Sequence, residues 1–132
     1  MQRYAIDTGA FQLYFSGNEK MKQIYNEIKN NTAIGMTMKT NLIELFYKTC
    51  KVLGKDVAHV RVKSILTSKI RVIDLHEKYL YLAGVIKCMY SNLSLADAII
   101  AALAIDKHAT IVTTDSDFKI FRDKTSVIIL SL

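Results

Sequence analysis

Residues 92–118 read NLSLADAIIAALAIDKHATIVTTDSDF, and this stretch predicts the core of the fold. Ser94 is a typical helix N-cap, and the apolar residues 98–105 surround the predicted helix on all sides, as in helices buried in a domain core. Residues 109–113 then predict a strand buried on both faces, which is the usual state of parallel strands in α/β folds. We therefore expect a central helix followed by an interior strand.

The rest of the chain alternates short apolar segments with segments of helical period. Strands are predicted at residues 3–7, 33–38, 70–75 and 127–130, and helices at 18–30, 42–53, 55–67 and 77–89. The connections are long enough for crossovers, so the pattern predicts an α/β fold in three layers, with helices on both faces of a parallel sheet of four to five strands. A length of 132 residues fits a single domain spanning 1–132.

Five acidic residues fall at the same end of successive strand–helix units. Asp7 ends the first strand, Asp115 and Asp117 follow the buried strand, and Glu44 and Asp97 lie in the first turns of two helices. Because the carboxyl ends of parallel strands share one edge of the sheet, we expect these acids to meet there. Gathered carboxylates repel one another unless cations neutralise them, and an all-oxygen ligand set suits Mg²⁺ or Mn²⁺ better than zinc.

Each acid also has a structural explanation when it is taken alone. The alternatives are a turn at Asp7, capping boxes at Asn41-x-x-Glu44 and Ser94-x-x-Asp97, a cap at Asp115 and simple solvation of Asp117. Capping explains individual positions, but it does not require an acid at every turn along one edge. The shared edge therefore favours a common site.

The formal net charge is +6, from 18 Lys and Arg against 12 Asp and Glu. If the five acids share a pocket, the remaining surface has 18 basic against 7 acidic residues, a charge of +11. A basic exterior around an acidic pocket suits a polyanion, and divalent ions in such a pocket would activate water for attack on a phosphodiester. The pattern thus favours hydrolysis of a nucleic-acid backbone over a merely basic, soluble protein.

Two groups of side chains are candidates for contacts with a nucleic acid. Basic residues on the helices after Glu44 either follow phosphates or form solvated helix faces: Lys39, Lys48, Lys51, Lys55, Arg61 and Lys63. Phe11, Tyr14 and Phe15 form an apolar edge on the first helix, for which packing in the core or against a partner is favoured over base stacking.

Several function classes are excluded. No apolar run approaches the ~18 residues that cross a bilayer, and the N-terminus lacks the layout of a signal peptide, so we expect a soluble protein of the cytoplasm that does not contact a membrane. Cys50 and Cys88 lack metal-type spacing and are expected to be free thiols. No motif for covalent catalysis is present, and although IDTGA at residues 6–10 resembles an aspartic protease loop, that fold is almost entirely β.

Taken together, the acids and their surroundings resemble the PIN domain family, and within it the VapC-type toxins of toxin–antitoxin pairs. The resemblance is carried by Asp7 in AIDTGAF, Glu44 in TNLIELF, Asp97 in LSLADAIIAALA, and Asp115 and Asp117 in IVTTDSDF. It implies a sheet in the order 3-2-1-4-5 and cleavage of single-stranded RNA with Mg²⁺ or Mn²⁺. It also implies a homodimer that a small VapB-like antitoxin inhibits.

The resemblance also implies roles for individual residues. The implied metal ligands or water-positioning residues are Asp7, Glu44, Asp97 and Asp115, with Asp117 as a supporting acid and Thr8 and Thr113 as hydroxyl groups beside them. Gly9 stands where these toxins commonly have serine or another small residue. Two other interpretations stay open: a catalytically idle PIN-like domain that binds RNA or protein in an assembly, and a structure-specific DNA nuclease.

Overall fold

A five-stranded sheet separates two layers of helices in the computed structural model, which describes residues 1–131. Leu132, the end of the predicted domain, lies outside the described residues. The strands are β1 Gln2–Ile6, β2 Ala33–Met38, β3 Arg71–Ile73, β4 Thr110–Thr113 and β5 Val127–Ile129. The helices are α1 Thr8–Phe15, α2 Glu19–Lys29, α3 Lys39–Leu53, α4 Lys55–Leu66, α5 Glu77–Met89 and α6 Leu95–Lys107, and a 3₁₀ helix covers Ser116–Phe121.

The sheet has the order β3-β2-β1-β4-β5, and every neighbouring pair is parallel. The predicted order 3-2-1-4-5 is therefore confirmed. In the centre of the sheet Ala5 of β1 lies opposite both Met36 of β2 and Ile111 of β4. Since β1 is the middle strand, the residue that follows it lies in the middle of the carboxyl edge.

Side chains that alternate along the strands build a separate core on each face. On one face Ala5, Met36 and Ile111 pack with α5 and α6, whereas on the other Tyr4, Ile6 and Val112 pack with the helices α1 to α4. All residues of α6 from Ala98 to Ala104 are buried. This confirms the prediction of a central helix. Because α6 is packed against the sheet, its first turn lies beside the carboxyl edge.

Some predicted boundaries and local details differ from the structure. The ranges of β2 and α5 agree with the prediction, but β3 has three residues because only Arg71–Ile73 pair at the edge of the sheet. Helix α3 begins at Lys39, with Met38 in the N-cap position, so the predicted capping box Asn41-x-x-Glu44 is wrong. Phe11 is buried in the core, which confirms for this residue the prediction that packing is favoured over base stacking.

Two predicted exclusions are checked by the structure. Cys50 and Cys88 are free thiols, as expected. Within residues 1–131, no helix is long and apolar enough to span a bilayer.

Candidate active site

Asp7 lies at the centre of the carboxyl edge because β1 ends at Ile6 and α1 begins at Thr8. Its backbone N–H donates to the carbonyl of Val112 at 2.9 Å, which continues the pairing of β1 with β4. Its side chain is only 6% exposed. Asp7 Oδ1 accepts a hydrogen bond from Asn41 Nδ2 at 3.1 Å, and Oδ2 accepts one from Thr113 Oγ1 at 2.8 Å. The carboxylate is thus held from both sides.

The electrostatic surroundings of Asp7 disfavour its charge. Burial raises the pKa of Asp7 above its ordinary value, and the neighbouring carboxylates of Glu44 and Asp115 act in the same direction. The hydroxyl of Thr113 and the backbone N–H of Thr8 oppose this rise. Since the net shift is upward, the two hydrogen bonds do not compensate for burial and repulsion.

Glu44 lies on α3, close enough to Asp7 for its charge to act on that carboxylate. Its Oε1 accepts a hydrogen bond from Thr8 Oγ1 at 2.8 Å. Its Oε2 lies 3.9 Å from Lys48 Nζ, one helical turn later, and this lysine is largely exposed. An exposed pair at this distance contributes little stability, so Glu44 keeps most of its capacity to bind another cation.

Asp97 lies in the first turn of α6, where Ser94 Oγ accepts a hydrogen bond from its backbone N–H at 3.1 Å. The predicted N-cap is therefore confirmed. Burial, followed by the charges of Asp7, Asp115 and Glu44, raises the pKa of Asp97 to about 6, although the Ser94 hydroxyl acts in the opposite direction. Among the residues that the structure describes, no Lys, Arg or His approaches Asp97 within 4.0 Å.

Asp115 and Asp117 follow β4 and begin the 3₁₀ helix. Asp115 Oδ1 accepts a hydrogen bond from the N–H of Asp117 at 2.9 Å, so the predicted cap at Asp115 is confirmed. The N–H of Asp115 donates to Thr113 Oγ1 at 3.1 Å, which links this turn to the hydroxyl that holds Asp7. The side chain of Asp117 is exposed and therefore solvated.

The structure thus brings four predicted acids, Asp7, Glu44, Asp97 and Asp115, close enough to raise pKa values within the group. Among residues 1–131, however, no three His, Cys, Asp or Glu side chains are grouped closely enough to hold a metal ion as they stand. The donor chemistry fits a hard divalent cation, because all donors are oxygens and the negative charges outnumber the nearby positive ones. A bound ion would have to draw the carboxylates closer together.

Two features of the site were not predicted. Asn41 is fully buried between Asp7 and Thr8, yet the sequence pattern assigned it to a helix cap. The signal was its position three residues before Glu44, which puts both side chains on the same face of α3. In addition, α1 packs tightly on the end of β4, since a Cβ atom at Gly9 would lie 2.2 Å from Thr114 Oγ1.

Comparison with known proteins places this arrangement in a family. A model of the PIN domain matches residues 4–124. VapBC2 from Rickettsia felis, bound to a DNA fragment from its promoter, superposes with a TM-score of 0.79 at 18% identity, covering 98% of this chain and 100% of that chain. DNA-bound VapBC from Salmonella typhimurium gives a TM-score of 0.77 at 17% identity, with 98% of each chain covered.

A third similar structure is VapC20 from Mycobacterium tuberculosis, a Sarcin-Ricin loop cleaving toxin. It gives a TM-score of 0.71 at 18% identity, covering 89% of this chain and 93% of that chain. No curated protein matches this chain in sequence. At these low identities the likeness to solved structures concerns the fold, whereas the family model matches the sequence itself over most of its length. The chain therefore belongs to the PIN domain family.

Proposed function

We propose that this chain is a Mg²⁺- or Mn²⁺-dependent endoribonuclease that hydrolyses phosphodiester bonds of single-stranded RNA, and that it is the toxin of a type II toxin–antitoxin module. The observation that carries the proposal is the gathering of four carboxylates from four separate segments at one edge of the sheet. Burial and, after it, repulsion by neighbouring carboxylates raise the pKa values of Asp7 and Asp97, so the folded chain maintains an electrostatically unfavourable arrangement that a divalent cation would relieve.

In this proposal Asp7, Glu44, Asp97 and Asp115 hold the ion or ions. A bound ion would lower the pKa of a water molecule for attack on the phosphodiester and would stabilise the charge on the leaving oxygen. Thr113 and Thr8 keep the carboxylates of Asp7 and Glu44 in place through their hydroxyl groups. Asp117 is a supporting acid at the exposed rim of the site.

RNA as the substrate is supported by charge and by one structural relative. The net charge of +6 attracts a polyanion, and Lys48 lies beside Glu44, where it would contact a phosphate once an ion neutralises that acid. Lysine and arginine residues of α3 and α4 extend this basic surface away from the acids: Lys51, Lys55, Arg61 and Lys63. The Sarcin-Ricin loop cleavage attributed to VapC20 supports the same substrate class.

An antitoxin as the partner is supported by an apolar groove and by the complexes among the similar structures. The groove lies between α3 and α4 and has a volume of about 450 Å³. Its lining is almost wholly apolar, and Ile43 within it is 64% exposed: Leu42, Ile43, Phe46, Tyr47, Val62 and Leu66. An exposed apolar groove of this kind accommodates an apolar segment of a partner, and a toxin–antitoxin complex from Klebsiella pneumoniae is among the similar structures. We propose a small VapB-like antitoxin as that partner.

A homodimer is supported by the outer face of α5. Leu80, Tyr81, Val85 and Met89 are each more than half exposed on the face of this helix that points away from the core. Several exposed apolar side chains on one helix face are typical of an interface. We propose that a second copy of the single nuclease domain, residues 1–132, covers them, and that the dimer acts in the cytoplasm, where RNA and antitoxin are both present.

The decisive experiment compares purified wild type with Asp97→Asn on a labelled single-stranded RNA, with Mn²⁺ and with a chelator. We expect cleavage only by the wild type and only with Mn²⁺. A wild type that binds this RNA but does not cut it would instead support the idle binding domain, and cleavage of branched DNA without cleavage of RNA would support the DNA nuclease. Toxicity on expression that Asp7→Asn relieves would support the toxin assignment.

A further inference from the structure

Asn41 connects α3 to the strand end that carries the central acid. Its side chain is fully buried, and Nδ2 donates one hydrogen bond to Asp7 Oδ1 and one to Thr8 Oγ1, both at 3.1 Å. These two bonds use both hydrogens of the amide group. One side chain therefore holds two neighbouring residues that lie more than thirty positions earlier in the sequence.

The orientation of the amide is determined by its surroundings. If the group were turned over, its carbonyl oxygen would face the carboxylate of Asp7, and two acceptors would repel each other. In the observed orientation Thr8 Oγ1 accepts from Asn41, so the single hydroxyl hydrogen of Thr8 must point to another acceptor. Of its two possible acceptors, Glu44 Oε1 at 2.8 Å is closer than the backbone carbonyl of Asn41 at 3.3 Å and is therefore favoured. Asn41 thereby orients Asp7 directly and orients Glu44 through Thr8.

The remaining polar atom of the Asn41 side chain is its carbonyl oxygen, Oδ1. Its Oδ1 is buried without a hydrogen-bond partner among the described residues. A buried acceptor without a partner costs free energy, and leucine would avoid that cost while filling a similar volume. Threonine would avoid it too, but it would supply a single donor. Of asparagine, leucine and threonine, only asparagine provides two N–H groups to two different acceptors.

We infer that Asn41 is a positioning residue of the acid site, whose amide fixes the orientations of Asp7 and Glu44 before a cation binds. This inference rests on the proposed metal-dependent function. Side chains that orient metal ligands affect metal affinity by about 10- to 100-fold when they are replaced. Because Asn41 donates to Asp7 and controls the hydrogen of Thr8, its loss acts on two proposed ligands at once.

The test measures binding of Mn²⁺ to metal-free protein by calorimetry, so it does not depend on RNA cleavage. Asn41→Ala should weaken Mn²⁺ binding about 10- to 100-fold, and Asn41→Thr, which restores one donor, should lie between Asn41→Ala and wild type. The matched control is Thr37→Val. Thr37 is also buried, and its hydroxyl donates to the carbonyl of Ile6 at 2.8 Å, next to Asp7, with no hydrogen bond to a carboxylate among residues 1–131.

The control separates positioning from a general loss of stability. We expect Thr37→Val to lower the melting temperature without changing the affinity for Mn²⁺. If Asn41→Ala and Thr37→Val weakened binding equally, or if Asn41→Ala bound like wild type while Asp97→Asn did not bind, the inference would be overturned and the proposed function would stand. If the wild type itself did not bind Mn²⁺, the proposed function would fail as well.

A second measurement covers the case in which Asn41→Ala does not fold. In the wild type, the side-chain amide protons of Asn41 should exchange slowly with solvent and should shift in the NMR spectrum when Mg²⁺ is added. Fast exchange, or resonances that Mg²⁺ leaves unchanged, would contradict the inference without any variant.

Discussion

Helix α6 carries an aspartate near each end, and the surroundings shift the pKa values of these two acids in opposite directions. Asp106, in the last turn, accepts a hydrogen bond from Tyr79 Oη at 2.8 Å and lies 3.1 Å from Lys78 Nζ and 4.0 Å from Lys107 Nζ. Burial acts to raise its pKa, but the hydroxyl of Tyr79 and the lysine charges outweigh burial, and the pKa lies below the ordinary value. Asp97, in the first turn, has a pKa raised to about 6.

This difference is the reverse of what the helix alone would produce. The helix macrodipole favours an acid at the N-terminal end and disfavours one at the C-terminal end. The surroundings therefore decide both cases: Asp106 has partners that neutralise it, whereas burial and then the carboxylates of Asp7, Asp115 and Glu44 disfavour the charge of Asp97. An acid whose neighbours stabilise its charge and an acid whose surroundings disfavour its charge can thus be distinguished on a single helix.

The largest expected difference between the two ends is in activity. Asp97→Asn should reduce Mn²⁺-dependent RNA cleavage by about a thousandfold or more, because loss of a metal ligand removes several kcal/mol of transition-state stabilisation. Asp106→Asn should retain activity within about threefold of wild type, since loss of a group far from the chemistry leaves transition-state binding intact. Initial rates on one labelled RNA check both variants. Comparable losses of activity in the two variants would contradict the proposed difference between Asp97 and Asp106.

The second expected effect is on the response to divalent ions. Mn²⁺ at about 100 times its dissociation constant should stabilise the wild type by about 2.7 kcal/mol at neutral pH, because the ion binds only the folded chain. The response should be smaller at pH 5, below the pKa of about 6 for Asp97, because protons then compete for the carboxylate. Thermal unfolding with and without Mn²⁺ measures this, and an equal response in Asp97→Asn would argue against Asp97 as a ligand.

The third effect is on the stability of the metal-free protein, where the two variants should change in opposite directions. Asp106→Asn should lower the free energy of unfolding by about 1–2 kcal/mol, because it weakens charge-assisted contacts with Tyr79 and Lys78. Asp97→Asn should raise it at neutral pH, because it removes a charge that burial disfavours and that Asp7 and Asp115 repel. Urea denaturation without divalent ions provides both values. A destabilised Asp97→Asn would mean that this carboxylate supports the fold.

The fourth effect is on the pH dependence of stability. The pKa of Asp97 is raised from 3.8 to about 6 on folding, so the folded state binds a proton more tightly than the unfolded chain. The contribution of this group to stability is therefore fully present below pH 3.8 and is lost as the pH rises to about 6. Denaturation of the metal-free protein across this range should show a decline that is smaller in Asp97→Asn. Parallel curves would show that other groups cause the decline.

The smallest effect is expected at Asp117. Its carboxylate is exposed, so Asp117→Asn should change the cleavage rate less than about tenfold and the stability by less than about 0.5 kcal/mol. The cleavage rate and the unfolding curve of this variant give the smallest expected change, with which the other variants are compared. A loss as large as that of Asp97→Asn would move Asp117 from the rim into the metal site.

The sequence was most informative where the structure depends on neighbouring residues. Ser94 caps α6 because its hydroxyl meets an N–H three residues later, and the buried run after it needs no distant partner to be recognised. The parallel sheet and the convergence of the acids at one edge followed from the alternation of strands and helices, whereas the strand order followed from the resemblance to PIN domains. The topology of the sheet determines which segments meet at that edge. The roles of the acids as ligands stay predictions.

The sequence was misleading where a side chain acts on distant residues. Asn41 fits a local capping pattern with Glu44, but β2 continues to Met38 and α3 starts at Lys39, which moves Asn41 into the helix and into the core. Its true partners, Asp7 and Thr8, are brought to it by the pairing of β1 with β2. A local sequence pattern gives no information about that strand pairing. The hydrogen bonds that orient the acids therefore depend on tertiary structure and could not be predicted from the pattern.

The close approach of Gly9 to Thr114 has a consequence for how this site can vary among homologous sequences. A Cβ atom at position 9 would lie 2.2 Å from Thr114 Oγ1, closer than real Cβ atoms come to such a neighbour. A larger residue at position 9 therefore requires the exposed side chain of Thr114 to rotate away or to be replaced by a smaller one. Position 9 and the residue after the fourth strand are thus coupled, although no hydrogen bond joins these two residues in the described part of the chain.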